Sequence, residues 1–91
     1  MNSLSSILPL LTIEMTTAFH RFGNYHNAHE LEGVMREEYE EWWDHVKDNT
    51  DKTPEAYYEL LQLASVALRY IIENGDAESI AEVQRIRYEG Q

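Results

Sequence analysis

From Pro54 to Asn74 the chain carries apolar residues around most of a helical circumference: Tyr57, Leu60, Leu61, Leu63, Ala64, Ala67, Leu68, Ile71 and Ile72. At about 100° per residue these cover well over half of the wheel. A narrow polar stripe remains, made of Glu55, Glu59, Gln62, Ser65, Arg69 and Glu73. A helix of this kind belongs at the centre of a bundle, covered by its own chain and by a second one. Thr53 and Pro54 read as its N-cap and first helical residue, and Asn74-Gly75 as its end.

Three further helices and no strands are expected around it. The first runs from Pro9 to Arg21, with Leu11, Met15, Ala18 and Phe22 on one stripe and Gly23 suited to ending it. Pro9 is tolerated in a first turn, so any helix before it should be short or kinked. The second runs from His26 to Lys47, with Gly33 a weak spot worth about 1 kcal/mol relative to alanine. The fourth is capped by Asp76 and reaches about Tyr88, with Ile80, Val83 and Ile86 turned inward. The expected fold is all-α: an antiparallel bundle of about four helices forming one domain over residues 1–91, completed by homo-oligomerisation.

The net charge of −10 argues against a nucleic-acid polymer as partner, which needs a basic footprint. Small phosphorylated ligands stay open to it where divalent cations mediate the contact. Zero cysteines exclude disulfides and thiolate metal sites, and fit a reducing cytoplasm. The run from Leu4 to Phe19 is interrupted by Ser5, Ser6, Thr12, Glu14, Thr16 and Thr17 and has no basic start. It is too polar to span a bilayer, so a cytoplasmic protein with no membrane partner is expected.

Between Glu30 and Asp44 seven carboxylates accompany a single cation, Arg36. On a helical wheel, Leu31, Val34, Met35, Tyr39, Trp42, Trp43 and Val46 form a broad apolar arc. Glu30, Glu37, Glu40 and Asp44 lie opposite or beside it. Glu38 falls inside it, between Val34 and Trp42. A carboxylate facing a core is costly unless it is paired, protonated or bound to a cation. Glu41, three residues on, projects from the same side, so the two can share a hard cation, with Glu37 on the flank. Packed antiparallel, the third helix brings Glu59 and Gln62 opposite them. Oxygen ligands of this type suit Mg²⁺ or Mn²⁺.

Other polar residues are weighed against plainer roles. His26, His29 and Glu30 lack the spacing of a metalloprotease zinc site and a third soft ligand. His45, near Glu41, is a surface histidine or a second-layer contact. Arg69 shares the stripe of Gln62 and reaches either a phosphate or a salt bridge to Glu73 or Glu59. Trp42 and Trp43 are core or interface, and Trp43, at the edge of the arc, is placed to stack on a base. No nucleophilic Ser/His/Asp set and no glycine-rich phosphate loop is present in the sequence.

Arg21-Phe22-Gly23, then His26-x-Ala28-His29-Glu30, then Glu37-Glu38-x-x-Glu41-x-Trp43-Asp44-x-Val46-Lys47 resembles the MazG-like branch of the all-α nucleoside triphosphate pyrophosphohydrolases. Glu59-Leu60-Leu61-Gln62-Leu63-Ala64, followed by Ala67-Leu68-Arg69, is similar to that branch's third helix. The resemblance covers about Arg21 to Ile72. It implies a helical bundle that assembles into homodimers or larger oligomers. It also implies Mg²⁺ held by Glu-x-x-Glu on one helix and Glu-x-x-Asp on the next, and cleavage of a nucleoside triphosphate to monophosphate and pyrophosphate. Glu38 and Glu41 match the first motif, Glu59 opens the second, and Gln62 stands where the pattern has Asp. An amide oxygen can ligate a cation but brings no negative charge. Glu38 and Glu37 are then the catalytic carboxylates, Glu38, Glu41, Glu59 and Gln62 the metal ligands, and Arg69, Trp43 and His45 the substrate contacts.

Three functions follow. The first is a Mg²⁺- or Mn²⁺-dependent nucleotide pyrophosphohydrolase. The second is a non-catalytic nucleotide binder on the same scaffold, suggested by Gln62. The third is a helical interaction module whose wide apolar third helix docks a protein partner.

Overall fold

The computed structural model describes residues 3–90, which form four helices and no strand: α1 (Leu4–Phe22), α2 (Ala28–Lys47), α3 (Pro54–Asn74) and α4 (Ala77–Glu89). The bounds of α3 are those expected from its Thr53 cap and Pro54 start. Thr53 Oγ1 accepts from the Ala56 N–H at 3.3 Å and donates to the Thr50 carbonyl at 2.7 Å, tying the cap to the preceding turn.

α1 starts earlier than expected. Pro9 is its sixth residue and forfeits only the bond to the Ser5 carbonyl, so Leu4–Leu8 still adds a helical turn ahead of it. α2 starts two residues later than expected, because Asn27 takes the cap and its side chain accepts from the Glu30 N–H at 3.0 Å. Gly23 ends α1 at φ 69°, a conformation that disfavours any side chain, and its N–H closes on the Phe19 carbonyl. Asn49 takes the equivalent left-handed position after α2 at φ 59°.

α3 is the central element and packs against both α2 and α1. α2 and α3 form an antiparallel hairpin: Glu38 and Glu41 lie against Glu59, while the earlier Leu31 and Met35 lie near Leu63. α1 runs in the direction of α3, since its Glu14 meets Tyr58 and Gln62 and its Phe19 meets Arg69.

The fourth helix departs from expectation. α4 packs against no other helix, and Val83 and Ile86 are each 58% exposed instead of turned inward. Ile80 alone is half-buried, against Gly75 in the α3–α4 junction. The bundle within one chain is therefore three helices. Its interior is thin: among the described residues Ala56 is the one fully buried apolar residue. Leu11, Met15, Leu31, Val34, Trp42, Leu61 and Leu63 are half-buried. No described helix is long and apolar enough to cross a membrane.

The tightest polar packing joins the α1–α2 connection to α3. Arg69 and Glu73 are 5% and 4% exposed at their side chains, with Arg69 Nε 3.3 Å from Glu73 Oε1. The guanidinium lies 4.2 Å from the ring centre of Tyr25 and 5.6 Å from that of Phe19. Glu73 Oε2 accepts from the Tyr25 backbone N–H at 3.3 Å. One buried ion pair thus ties α1, the connecting loop and α3 together.

Candidate functional site

α2 offers Glu38 and Glu41 to α3 because they are one turn apart on the face that carries Val34 and Trp42. α3 offers Glu59 from its polar stripe. Each of the three carboxylates contributes an oxygen, and these oxygens lie within 4.8 Å of one another. Glu38 Oε2 and Glu59 Oε2 are buried and have no hydrogen-bond partner.

Such a cluster is electrostatically unfavourable by itself. Burial, followed by the charges of Glu41 and Glu59, a proton shared with Glu59 and the charge of Glu37, pushes the Glu38 carboxyl up to about 7. Glu41 is raised as well, first by a hydrogen bond with Glu59, then by burial and the charges of Glu59 and Asp44. Near neutral pH the cluster therefore shares a proton or binds a cation. Three carboxylates that each turn an oxygen to one point could hold a hard divalent ion.

Glu38 also belongs to the wall of a cleft of about 620 Å³ that opens between α1 and α2 over a floor of α3. Glu14, Thr17 and Arg21 line the α1 side, Glu30, Val34 and Glu37 the α2 side, and Tyr58, Gln62, Ser65 and Arg69 the floor. Of the carboxylate cluster, Glu38 alone lines the cleft, which also carries two cations, Arg21 and Arg69. Its volume is that of a small-molecule site.

The expected site residues separate here. Glu38, Glu41 and Glu59 come together. Gln62 turns the other way, and its Nε2 donates to Glu14 Oε1 at 3.2 Å. Glu37 lies on the cleft wall beside Glu38. Arg69 lines the cleft floor while paired with Glu73. His45 is engaged with Thr50, Nδ1 to Oγ1 at 2.9 Å, in the loop after α2. Trp43 is 42% exposed and stacks on Tyr39, their planes 5° apart and ring centres 6.4 Å apart. Neither His45 nor Trp43 is among the residues lining the cleft. His26 pairs with Glu30 at 2.7 Å at the start of α2.

Glu14 was not singled out by the sequence reading. Its carboxylate accepts from Tyr58 Oη at 3.2 Å and from Gln62, which fixes it in the cleft. One signal pointed to it: Glu14 is the lone charged residue between Leu4 and Phe19 and lies one turn from Leu11 and Ala18 on the inward stripe.

No protein-family model, curated protein or solved structure matches the chain.

Proposed function

We propose that the chain is a Mg²⁺- or Mn²⁺-dependent nucleotide pyrophosphohydrolase of MazG-like type, acting as a homodimer or larger homo-oligomer. Its reaction splits a nucleoside triphosphate or related nucleotide into monophosphate and pyrophosphate. The observation that carries this reading is the convergence of Glu38, Glu41 and Glu59 beside a cleft that Glu38 lines, with Glu38 Oε2 and Glu59 Oε2 buried and unpartnered.

Glu38, Glu41 and Glu59 would hold the cation, whose chemistry when bound would be to offset triphosphate charge and activate an attacking water. Glu37, on the cleft wall, takes the proton that this water releases. Arg21 and Arg69 face the phosphates from the other walls, where a chain of net charge −10 otherwise repels them. Trp43 and His45 are left out of this site because they neither belong to the carboxylate cluster nor line the cleft.

A second reading is non-catalytic binding of a nucleotide in the same cleft. It is favoured by Gln62, which brings no charge and whose amide is engaged by Glu14. Incubation with a nucleotide panel, Mg²⁺ and Mn²⁺, followed by chromatographic separation of products, tests both. The enzyme reading predicts monophosphate and pyrophosphate in equal amounts, falling at least about 100-fold in Glu38→Gln. Recovery of the bound nucleotide unchanged supports the binder and overturns the enzyme.

A further inference from the structure

We propose that α4 is an exchanged arm, which lies in the α1–α3 groove of a second copy of this chain while that copy's α4 fills the groove of the first. The homo-oligomer belongs to the reading above; the placement of α4 is new and independent of the nucleotide chemistry.

Two of the uncovered apolar surfaces among the described residues match each other. One is a groove of about 560 Å³ formed by Ile7, Leu10 and Leu11 of α1 with Tyr57, Leu60 and Leu61 of α3. No charged residue lines it. The other is the stripe of Val83 and Ile86 on α4, beyond the half-buried Ile80, on a helix of 13 residues that packs against no helix of its own chain. On another face of α4 the charged side chains pair among themselves, since Arg85 bonds both Glu82 and Glu89. The stripe is what α4 has left to bury.

The junction with α3 keeps this stripe away from the chain's own groove. The Gly75 N–H closes on the Ile71 carbonyl at 2.7 Å, and a Cβ at Gly75 would stand 2.9 Å from Ile80 Cδ1. The missing side chain lets Ile80 seat on Gly75, the residue that caps α3. That contact holds the root of α4 at the end of α3, while the groove lies along its first half.

The exposed area identifies a second copy as the occupant. A folded monomer of this mass exposes roughly 5,500 Å², whereas this chain exposes 7180 Å². The excess, roughly 1,700 Å², is about twice what each partner gives to a standard interface and falls in the range of obligate dimers. The radius of gyration of 14.9 Å exceeds the roughly 12 Å of a closed domain of this length. A transient partner does not account for an interface that completes the core. A reciprocal exchange covers the groove and the stripe of both chains in one closed two-fold pair.

The chain has no cysteine, so single introduced cysteines are unique reporters. A tagged Leu10→Cys chain is mixed with an untagged Val83→Cys chain, oxidised and sized on a denaturing gel, with Leu60→Cys as a second groove position. The exchange predicts a disulfide between tagged and untagged chains at one or both positions, and a mass by light scattering of at least twice 10.7 kDa for the unmodified chain. A dimer without either cross-link overturns the exchange and leaves the homo-oligomer standing. A monomer overturns both. A Leu10→Cys/Val83→Cys chain that closes its disulfide within itself also overturns the exchange.

Discussion

Gln62 Nε2 donates to Glu14 Oε1 at 3.2 Å, while Glu59, one turn earlier on α3, turns to Glu38 and Glu41 on α2. The polar stripe of α3 thus divides between its two neighbours, and position 62 is matched to a carboxylate on α1. An aspartate at this position removes a donor and sets a second negative charge beside Glu14. We expect Gln62→Asp to lose about 1–3 kcal/mol of stability, and Glu14→Gln in the same chain to return at least half of it. Urea unfolding of both variants and the double variant at one chain concentration measures this coupling. Additive losses would mean that the two side chains do not interact.

The proton held by Glu38 sets the sign of a pH dependence. Its carboxyl titrates near 7 in the folded chain, against about 4.3 in an unfolded one. Between these values the folded state binds more proton than the unfolded state. The associated stability is complete below about pH 4.3 and is lost as the pH rises through 7. Glu41, raised by the same cluster, adds in the same direction. In EDTA the melting temperature should fall from pH 5.5 to 8, and saturating Mn²⁺ should abolish most of that fall. Glu38→Gln should flatten the slope and stabilise the metal-free chain by about 1 kcal/mol after allowance for solvent screening. A slope unchanged in Glu38→Gln would assign the titration elsewhere.

Arg69 and Glu73 form the deepest ion pair, and removing one partner strands the other's charge. Arg69→Met should cost about 3–5 kcal/mol in urea unfolding. Arg69→Met/Glu73→Leu should recover much of that loss, because no unpaired charge is left behind. A double variant no more stable than Arg69→Met would place the energy in the stacking on Tyr25 and Phe19 instead.

Much of the chain was legible because local and global signals agree. The Thr53-Pro54 start of α3 combines a cap, a proline at the first position and an apolar run, and each fixes the same residue. Glu38 was legible because an inward carboxylate conflicts with the period of its own helix. Gln62 was harder: periodicity places it one turn from Glu59 but does not say which neighbour it faces, and α1 carries the competing acceptor. Glu14 belongs to a different helix, 44 residues from Tyr58 in sequence, and no local pattern links them. The exposed α4 stripe has a related cause. Helical periodicity reports that Val83 and Ile86 need a cover and is silent on which chain supplies it.

The central claim is that Glu38, Glu41 and Glu59 hold a divalent cation, and Mn²⁺ titration followed by electron paramagnetic resonance tests it most directly. At pH 7.5 we expect saturable binding that weakens at least about tenfold in Glu38→Gln and in Glu59→Gln. It should also weaken roughly tenfold for each pH unit below 7, as the proton on Glu38 competes with the ion. Glu40→Gln, on the exposed face of α2, should bind as the unmodified chain does. Unaltered affinity in Glu38→Gln and Glu59→Gln, or equal loss in Glu40→Gln, would contradict a built site and leave only the diffuse attraction of an acidic surface.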